Sequence, residues 1–217
     1  MGSTKDIREA VESELRFDPL VDDADIRVVN ISGDVALNGS VPSYPQYLEA
    51  SAAAQRVAGV KNVHNHLEVF LPEGDYRDDA MLTTAANNAL TLDVTVPDGV
   101  EAAASDGNIT LTGLVKYGRQ RDAAEQAVAG LTGVRNVEND IDISCDADPA
   151  DVTLLVQDAL DRNALITDDS DVSVDTQGST VTLSGHVRTW AERDAAVGVA
   201  WMVGGVSQVR DDLIITG

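Results

Sequence analysis

Histidine and cysteine are the side chains of this sequence that could bind zinc. His64 and His66 stand two residues apart in a stretch of alternating apolar residues, so both would point to the same face of a strand. Structural zinc sites use about four such ligands, and the other candidates, His186 and Cys145, lie far away in the sequence. The histidine pair is therefore half of a zinc site at most, and the sequence predicts no cofactor.

Two acidic loops are the other candidate metal sites. Their carboxylates occupy the same place before a predicted strand in two parts of the chain: Asp22, Asp23, Asp25, Asp168, Asp169 and Asp171. Clustered carboxylates and loop carbonyls could together hold a hard cation such as calcium. The spacing lacks the glycine and the distal glutamate of an EF-hand loop. A solvated loop between a helix and a strand is therefore the alternative interpretation.

Residues arranged for catalysis are not evident. We find no nucleophile beside a base in the sequence, no glycine-rich loop spaced to cradle phosphate and no pair of acids in a special setting. The sequence therefore predicts that the protein is not an enzyme.

Pairs of glycines recur through the chain and reveal an internal repeat. The two members are 20 residues apart in each copy, and successive copies are offset by 74 and 72 residues: Gly39 and Gly59, Gly113 and Gly133, Gly185 and Gly205. Fixed spacing of this kind is the signature of tandem structural units. We expect three domains, at residues 1–72, 76–145 and 148–217, and refer to them as repeats one, two and three.

The elements within each repeat follow from its apolar pattern. A first stripe at helical spacing, Ile7 to Leu15 in repeat one, is followed by two alternating segments that read as a hairpin. An alanine-rich helix and a third strand come next, with capping-box patterns at Ser43–Gln46 and Thr189–Glu192. Because a strand, helix and strand connection leaves its strands parallel, we predict an α+β fold. Each of the three tandem units is αββαβ, with a mixed three-stranded sheet packed on two helices.

The second helix of repeat three has an additional apolar face. At 100° per residue, Val197 and Trp201 point away from the stripe that faces the core of the repeat. We predict that Val197 and Trp201 form an interface with a neighbouring repeat or with a partner subunit. The alternative is that Trp201 lies flat on the surface or fills a gap in its own core.

Charge restricts the kinds of partner. The net charge of −22, with 15 basic and 37 acidic residues, opposes binding to nucleic acid, which requires a basic surface. It also disfavours contact with anionic lipid. We expect a protein partner or self-association through repeat three. The single cysteine and the absence of an apolar leader in MGSTKDIREA predict a cytoplasmic location, with the periplasm as the alternative if a leader has been removed.

Two short motifs in each repeat resemble the BON domain, named for bacterial osmotically induced and nodulation proteins. They read DVALNGSV and AGVKNVHNHL, then ITLTGLV and TGVRNVENDI, then TVTLSGHV and GGVSQVRDDL. Repeat three departs from the pattern at Gln208 and Asp211, where asparagine would be expected, and by one additional residue in its hairpin.

The resemblance implies a non-catalytic module. Proteins with this domain are associated with envelope integrity, osmotic stress, phospholipid contact, secretion pores and, in one type, potassium sensing. We therefore expect a binding or scaffold protein associated with osmotic or envelope stress. A phospholipid-binding adaptor and a sensor of potassium or calcium are the two alternatives.

Overall fold

The computed structural model describes residues 4–144, 148–166 and 172–216, with side chains from residue 6 onward. Within these residues the order helix, strand, strand, helix, strand occurs three times. Each copy contains its own three-stranded sheet. The predicted α+β class and αββαβ order are therefore confirmed.

Repeat one shows the arrangement of the unit most completely. Its elements are α1 Thr4–Phe17, β1 Ile26–Ile31, β2 Asp34–Val41, α2 Tyr44–Gln55 and β3 Asn62–Val69. Strand β2 lies in the centre of the sheet, antiparallel to β1 and parallel to β3. The mixed sheet follows from the connection through α2, which returns the chain to the same end of the sheet.

Both helices of repeat one cover the same face of the sheet. The stripe of α1 buries Val11 and Leu15 against Val35 and Leu37 of β2, in one core cluster with the alanines of α2. Ala50, Ala53 and Ala54 are fully buried in this cluster. Small side chains at this stripe let α2 lie close to the sheet.

The glycine of each Leu-x-Gly motif lies at the end of the hairpin opposite its turn, where in repeats one and two the second strand closely approaches the residue that precedes the first strand. Gly39, Gly113 and Gly185 all have positive φ, a conformation that residues with a Cβ rarely adopt. A Cβ on Gly39 would also overlap the carbonyl oxygen of Asp25, just before β1. The motif is therefore a backbone requirement of the fold, and no ligand is needed to explain it.

Between repeats one and two, a short 3-10 turn at Glu73–Asp75 precedes the first helix of repeat two. The elements that follow are α3 Asp79–Leu92, β4 Glu101–Ser105, β5 Asn108–Val115, α4 Gly118–Ala129 and β6 Asn136–Ile143. Asn87 of α3 donates to the carbonyl of Ala102 (2.7 Å) and accepts from its N–H (3.0 Å). Thr83 accepts from the N–H of Ala104 (3.0 Å). Side chains of α3 thus satisfy backbone groups of the edge strand β4.

Repeat three has the same order and the same sheet. Its elements are α5 Pro149–Asp161, β7 Val172–Gln177, β8 Thr180–Val187, α6 Trp190–Met202 and β9 Gln208–Ile215. Strand β8 is antiparallel to β7 and parallel to β9. Its core combines Val152, Val156 and Leu160 of α5 with residues of β8 and α6.

The start of the second helix differs from the prediction in repeats one and two. Thr189 caps α6 by accepting from the N–H of Glu192, as predicted. The pattern at Ser43–Gln46 does not form a capping box: Ser43 makes no side-chain cap, and Gln46 accepts from the N–H of Asp22 instead. In repeat two, Gln120 reaches back to the N–H groups before α4, although the sequence shows no box there.

The described residues divide into two compact units. One contains repeat one with part of repeat two, and the other contains repeat three with the rest of repeat two, including Leu111–Gln126. Among the helices of the described chain, none combines the length and the apolar character needed to cross a membrane.

Candidate functional site

Trp201 lies near the end of α6 and contacts two groups of residues. Its half-buried ring packs against the core of repeat three. The same ring lies against Gly118, the first residue of α4, and its centroid is 4.5 Å from the guanidinium carbon of Arg121. A guanidinium within about 6 Å of an indole face is attracted by the quadrupole of the ring. Trp201 therefore joins α6 to the first turn of α4.

A second contact lies one turn further along the chain. A Cβ on Gly204, just after α6, would be 3.2 Å from the ring carbon Cε1 of Tyr117. Beside these contacts, an open cleft is lined by Arg121 and Asn139–Ile143 from repeat two and by Ser207 and Gln208 from repeat three. Repeats two and three thus approach each other at several points around Trp201.

The backbone of Arg121 is held by the third strand of its own repeat. Asn139 of β6 donates to the carbonyl of Arg121 (3.0 Å) and to Oε2 of Glu125 (3.2 Å). Its own Oδ1 accepts from the N–H of Ile141. One amide side chain therefore connects β6 to the part of α4 from which the Arg121 guanidinium extends.

The carboxyl group of Asp122 stands beside this arginine. Partial burial raises the pKa of Asp122 above its ordinary value, and the neighbouring charge of Glu125 acts in the same direction. The positive charges of Arg121 and Arg119 lower it in part. The carboxylate form is therefore less favourable here than in open solvent.

The predicted interface residues differ in what they contact. Val197 is half-buried and packs against the core of repeat three. Trp201 also meets Gly118 and Arg121, as described above. Whether either residue serves in recognition of another molecule stays a prediction.

The acidic loop of repeat one has local partners for its side chains. Asp22 accepts from the N–H of Ala24, and Asp23 lies 3.6 Å from the guanidinium of Arg16. In the part of the chain that the structure describes, no three His, Cys, Asp or Glu side chains gather to hold a metal ion, and this includes Asp22, Asp23 and Asp25. Asp168, Asp169 and Asp171 lie outside the described residues, so the prediction for that loop remains open.

The histidines are exposed on strands. His64 and His66 lie on the face of β3 away from the helices, with ring centroids 6.4 Å apart and ring planes nearly parallel. His186 lies on β8 in another sheet. Cys145 is outside the described residues. Within these residues the histidines are not brought together into a larger cluster.

A group of ion pairs in repeat one was missed by reasoning from the sequence. Arg56, at the end of α2, contacts Glu14 (3.0 Å), Glu49 (2.8 Å) and the buried carboxylate of Asp18. The N–H of Leu20 and the guanidinium of Arg56 lower the pKa of Asp18, and the carboxylates raise the pKa of Arg56. The sequence does contain a signal for this group: Arg56 is a basic residue at a position that is occupied by Gly130 and Met202 in the other repeats.

The residues against which Trp201 packs were also missed. Alignment of the three second helices would have shown that Gly118 stands where repeat one has Tyr44 and repeat three has Trp190. A missing aromatic residue at one copy of a repeated position is a signal of altered packing there.

Comparison with solved structures finds remote similarity. CdsD, a structural protein of the type III secretion system of Chlamydia trachomatis, gives a TM-score of 0.28 at 15% identity, covering 96% of this chain and 91% of that chain. The C-terminal domain of CdsD gives a TM-score of 0.26 at 16% identity, with both chains fully covered. TM-scores of this size support no inference about this chain.

Comparison of sequences is more informative. Osmotically-inducible protein Y of Escherichia coli (strain K12) is 34% identical over 132 residues, which are 56% of this chain and 66% of that protein, just under two thirds of its length. The sequence model of the BON domain matches residues 3–69, 78–145 and 148–217. Because one domain model accounts for all three repeats over nearly the whole chain, the protein belongs to the BON domain family.

Proposed function

We propose that this chain is a non-enzymatic binding protein that acts as a scaffold in a bacterial response to osmotic or envelope stress. The observation that carries the proposal is the presence of three tandem BON domains over nearly the whole sequence. The name of the Escherichia coli relative, which describes it as osmotically inducible, supports the association with osmotic stress.

The proposed ligand is another protein with a neutral or basic surface. A net charge of −22 repels nucleic acid and anionic lipid and attracts cationic surfaces. In repeat one, the sheet face away from the helices exposes Val29 (49%) and Ile31 (68%) on β1, and the histidine pair on β3, across the central strand. Such open sheet faces offer area for a partner without a deep pocket.

A cytoplasmic location is part of the proposal. One cysteine in 217 residues cannot form an internal disulfide, which suits a reducing compartment. Fractionation of the source cell, with markers for each compartment, tests this part separately. Recovery with periplasmic markers would contradict it.

Partner capture from the source cell tests the central part of the proposal. The full chain, carrying an affinity tag, would be cross-linked in the cell before and after an increase in external osmolarity. We expect specific proteins to be captured above a tag-only control, in greater amount after the increase. Capture that equals the tag control in both conditions would contradict a scaffold role.

Two binding assays separate the proposal from its alternatives. Liposome flotation with neutral and anionic vesicles tests the phospholipid adaptor, and we expect the chain to stay with the soluble fraction. Titration calorimetry with potassium, calcium and magnesium tests the cation sensor, and we expect no saturable heat. Flotation with either kind of vesicle, or saturable binding of one cation at constant ionic strength, would replace the scaffold proposal by the corresponding alternative.

A further inference from the structure

We propose that Trp201 of repeat three supplies repeat two with the aromatic side chain that the start of its second helix lacks, so that this helix, α4, packs with repeat three. The proposal concerns the interior of this chain and is independent of the proposed partner. Its evidence is the comparison of one structural position across the three repeats.

The position is the first residue of the second helix. It is occupied by Tyr44 in α2, Gly118 in α4 and Trp190 in α6, in each case three residues after the valine that ends the preceding strand. Tyr44 is buried and Trp190 is half-buried in their own repeats. Repeat two alone has no side chain at this place.

The space at Gly118 is filled by Trp201. A Cβ on Gly118 would overlap the ring carbon Cε3 of Trp201 and would lie 2.8 Å from Cδ2. Gly118 is itself buried. Because Gly118 has no side chain, the indole from α6 can lie against the backbone of repeat two.

The arginine three residues later repeats the same contact. In repeat three, the guanidinium carbon of Arg193 lies 4.8 Å from the ring centroid of Trp190, within one helix. In repeat two, the equivalent Arg121 lies 4.5 Å from the ring of Trp201. Each arginine thus covers an indole, but the indole for Arg121 comes from another repeat.

The aromatic residue near the end of the second helix is specific to repeat three. The residues that correspond to Trp201 are Gln55 in repeat one and Ala129 in repeat two, and neither offers an aromatic ring. At these two aligned positions, an aromatic residue near the end of the helix occurs as Trp201 in repeat three, and a glycine at the start of the helix occurs as Gly118 in repeat two. The contact therefore distinguishes the second helices of repeats two and three from that of repeat one.

Thermal unfolding of the full chain tests the contact. Gly118→Ala should lower the melting temperature by about 5 °C, because the added methyl overpacks the contact with Trp201. Gly198→Ala in α6 is the matched control, since no atom lies within 4 Å of its added Cβ, and alanine favours a helix. We expect no decrease for the control.

The same change in a Trp201→Ala background decides whether the indole is responsible. There, Gly118→Ala should no longer lower the melting temperature, because the overlapping ring is gone. If Gly118→Ala prevents folding, recovery of the folded circular dichroism spectrum in the double variant supports the proposal equally. An effect of Gly118→Ala that is the same with and without Trp201 would overturn it.

Placing an aromatic residue at position 118 of repeat two provides the second test. Gly118→Tyr introduces the side chain that repeat one carries at this position. In the Trp201→Ala background it should recover part of the lost melting temperature, whereas in the presence of Trp201 it should lower the melting temperature. Equal effects of Gly118→Tyr in the two backgrounds would contradict the proposal.

Discussion

Arg56 holds three carboxylates of repeat one around a single guanidinium. Glu14 and Asp18 come from the end of α1 and the residue after it, and Glu49 comes from α2. A planar cation with several N–H donors at the end of a helix suits both the carboxylates and the negative end of the helix dipole. Arg56 therefore joins the two helices of repeat one by charge.

Replacement of Arg56 by methionine should lower the melting temperature of the full chain by about 3 °C, since it leaves several carboxylates without their cation. Arg16→Met is the matched control, because the Arg16 side chain is 73% exposed and its contact with Asp23 is longer, at 3.6 Å. Thermal unfolding at neutral pH measures the difference. Equal effects of the two substitutions would contradict a special role for Arg56.

The effect of Arg56→Met should shrink in acid. The pKa of Asp18 is lowered in the folded chain by the N–H of Leu20 and by Arg56. A carboxyl group with a lowered pKa stabilises the fold above its unfolded pKa, and this contribution is lost as the pH falls through the folded pKa. Melting temperatures of both proteins, measured from neutral pH downward, should therefore converge. A constant difference at every pH would contradict this explanation.

At the scale of elements, the first helix of repeat two protects a sheet edge. Asn87 makes two hydrogen bonds with the backbone of Ala102 in β4. An unpaired edge strand is a template for association with other chains. The amide of Asn87 thus replaces a missing neighbouring strand at this residue.

Asn87→Ala should destabilise repeat two by about 1 to 3 kcal/mol, because it leaves partly buried backbone groups of β4 unsatisfied. The neighbouring Asn88 is exposed, and Asn88→Ala is the matched control. Hydrogen exchange of the Ala102 amide, followed by NMR, should accelerate only for Asn87→Ala. An unchanged exchange rate would show that the hydrogen bond does not protect this edge.

The link between the third strand and the second helix explains one departure of repeat three from the family pattern. Asn65 and Asn139 both donate to helix backbone and accept from the N–H two residues later. Asp211 can only accept as a carboxylate, and Arg193 supplies the missing donor at 2.6 Å. The substitution at Asp211 therefore preserves the link through a different donor.

Features that depend only on residues close together in the sequence could be predicted from the sequence. The stripe of α1 from Ile7 to Leu15 and the glycine of β2, Gly39, follow from helical spacing and from backbone conformation, which are local. The caps were less predictable, because the oxygen of Gln46 has a competing donor, the N–H of Asp22, which is distant in the sequence.

The candidate site could be predicted only in part. The apolar face with Trp201 is visible from the helical angles of one helix. The residues against which Trp201 packs are not visible in this way, because Gly118 and Arg121 belong to another repeat and a glycine adds nothing to an apolar pattern. Likewise, nothing local connects Arg56 to Glu14 and Asp18, which meet it only after α1 and α2 have packed.

At the scale of the whole molecule, charge should control stability. With 37 acidic and 15 basic residues, repulsion between carboxylates opposes the compact state and is screened by salt. We expect the melting temperature to rise between low and moderate concentrations of sodium chloride. A flat response would show that the carboxylates are already separated or paired.

Divalent ions provide the comparison for the acidic loops. Magnesium and calcium, at the same ionic strength as sodium chloride, should raise the melting temperature by a similar amount if screening is the cause. A much larger rise with calcium that is removed by substituting Asp22 and Asp23 with asparagine would instead indicate a bound ion at the loop of repeat one.

The central structural claim is that Trp201 belongs to a contact between repeats two and three, and its fluorescence in the full chain tests this most directly. In a Trp190→Phe variant, Trp201 is the single tryptophan, so emission and acrylamide quenching report its surroundings alone. We predict emission at shorter wavelength and weaker quenching than for free tryptophan. Adding Arg121→Met, which removes the covering guanidinium, should increase quenching. Because the core of repeat three also shields this ring, emission and quenching that Arg121→Met leaves unchanged would contradict the claim.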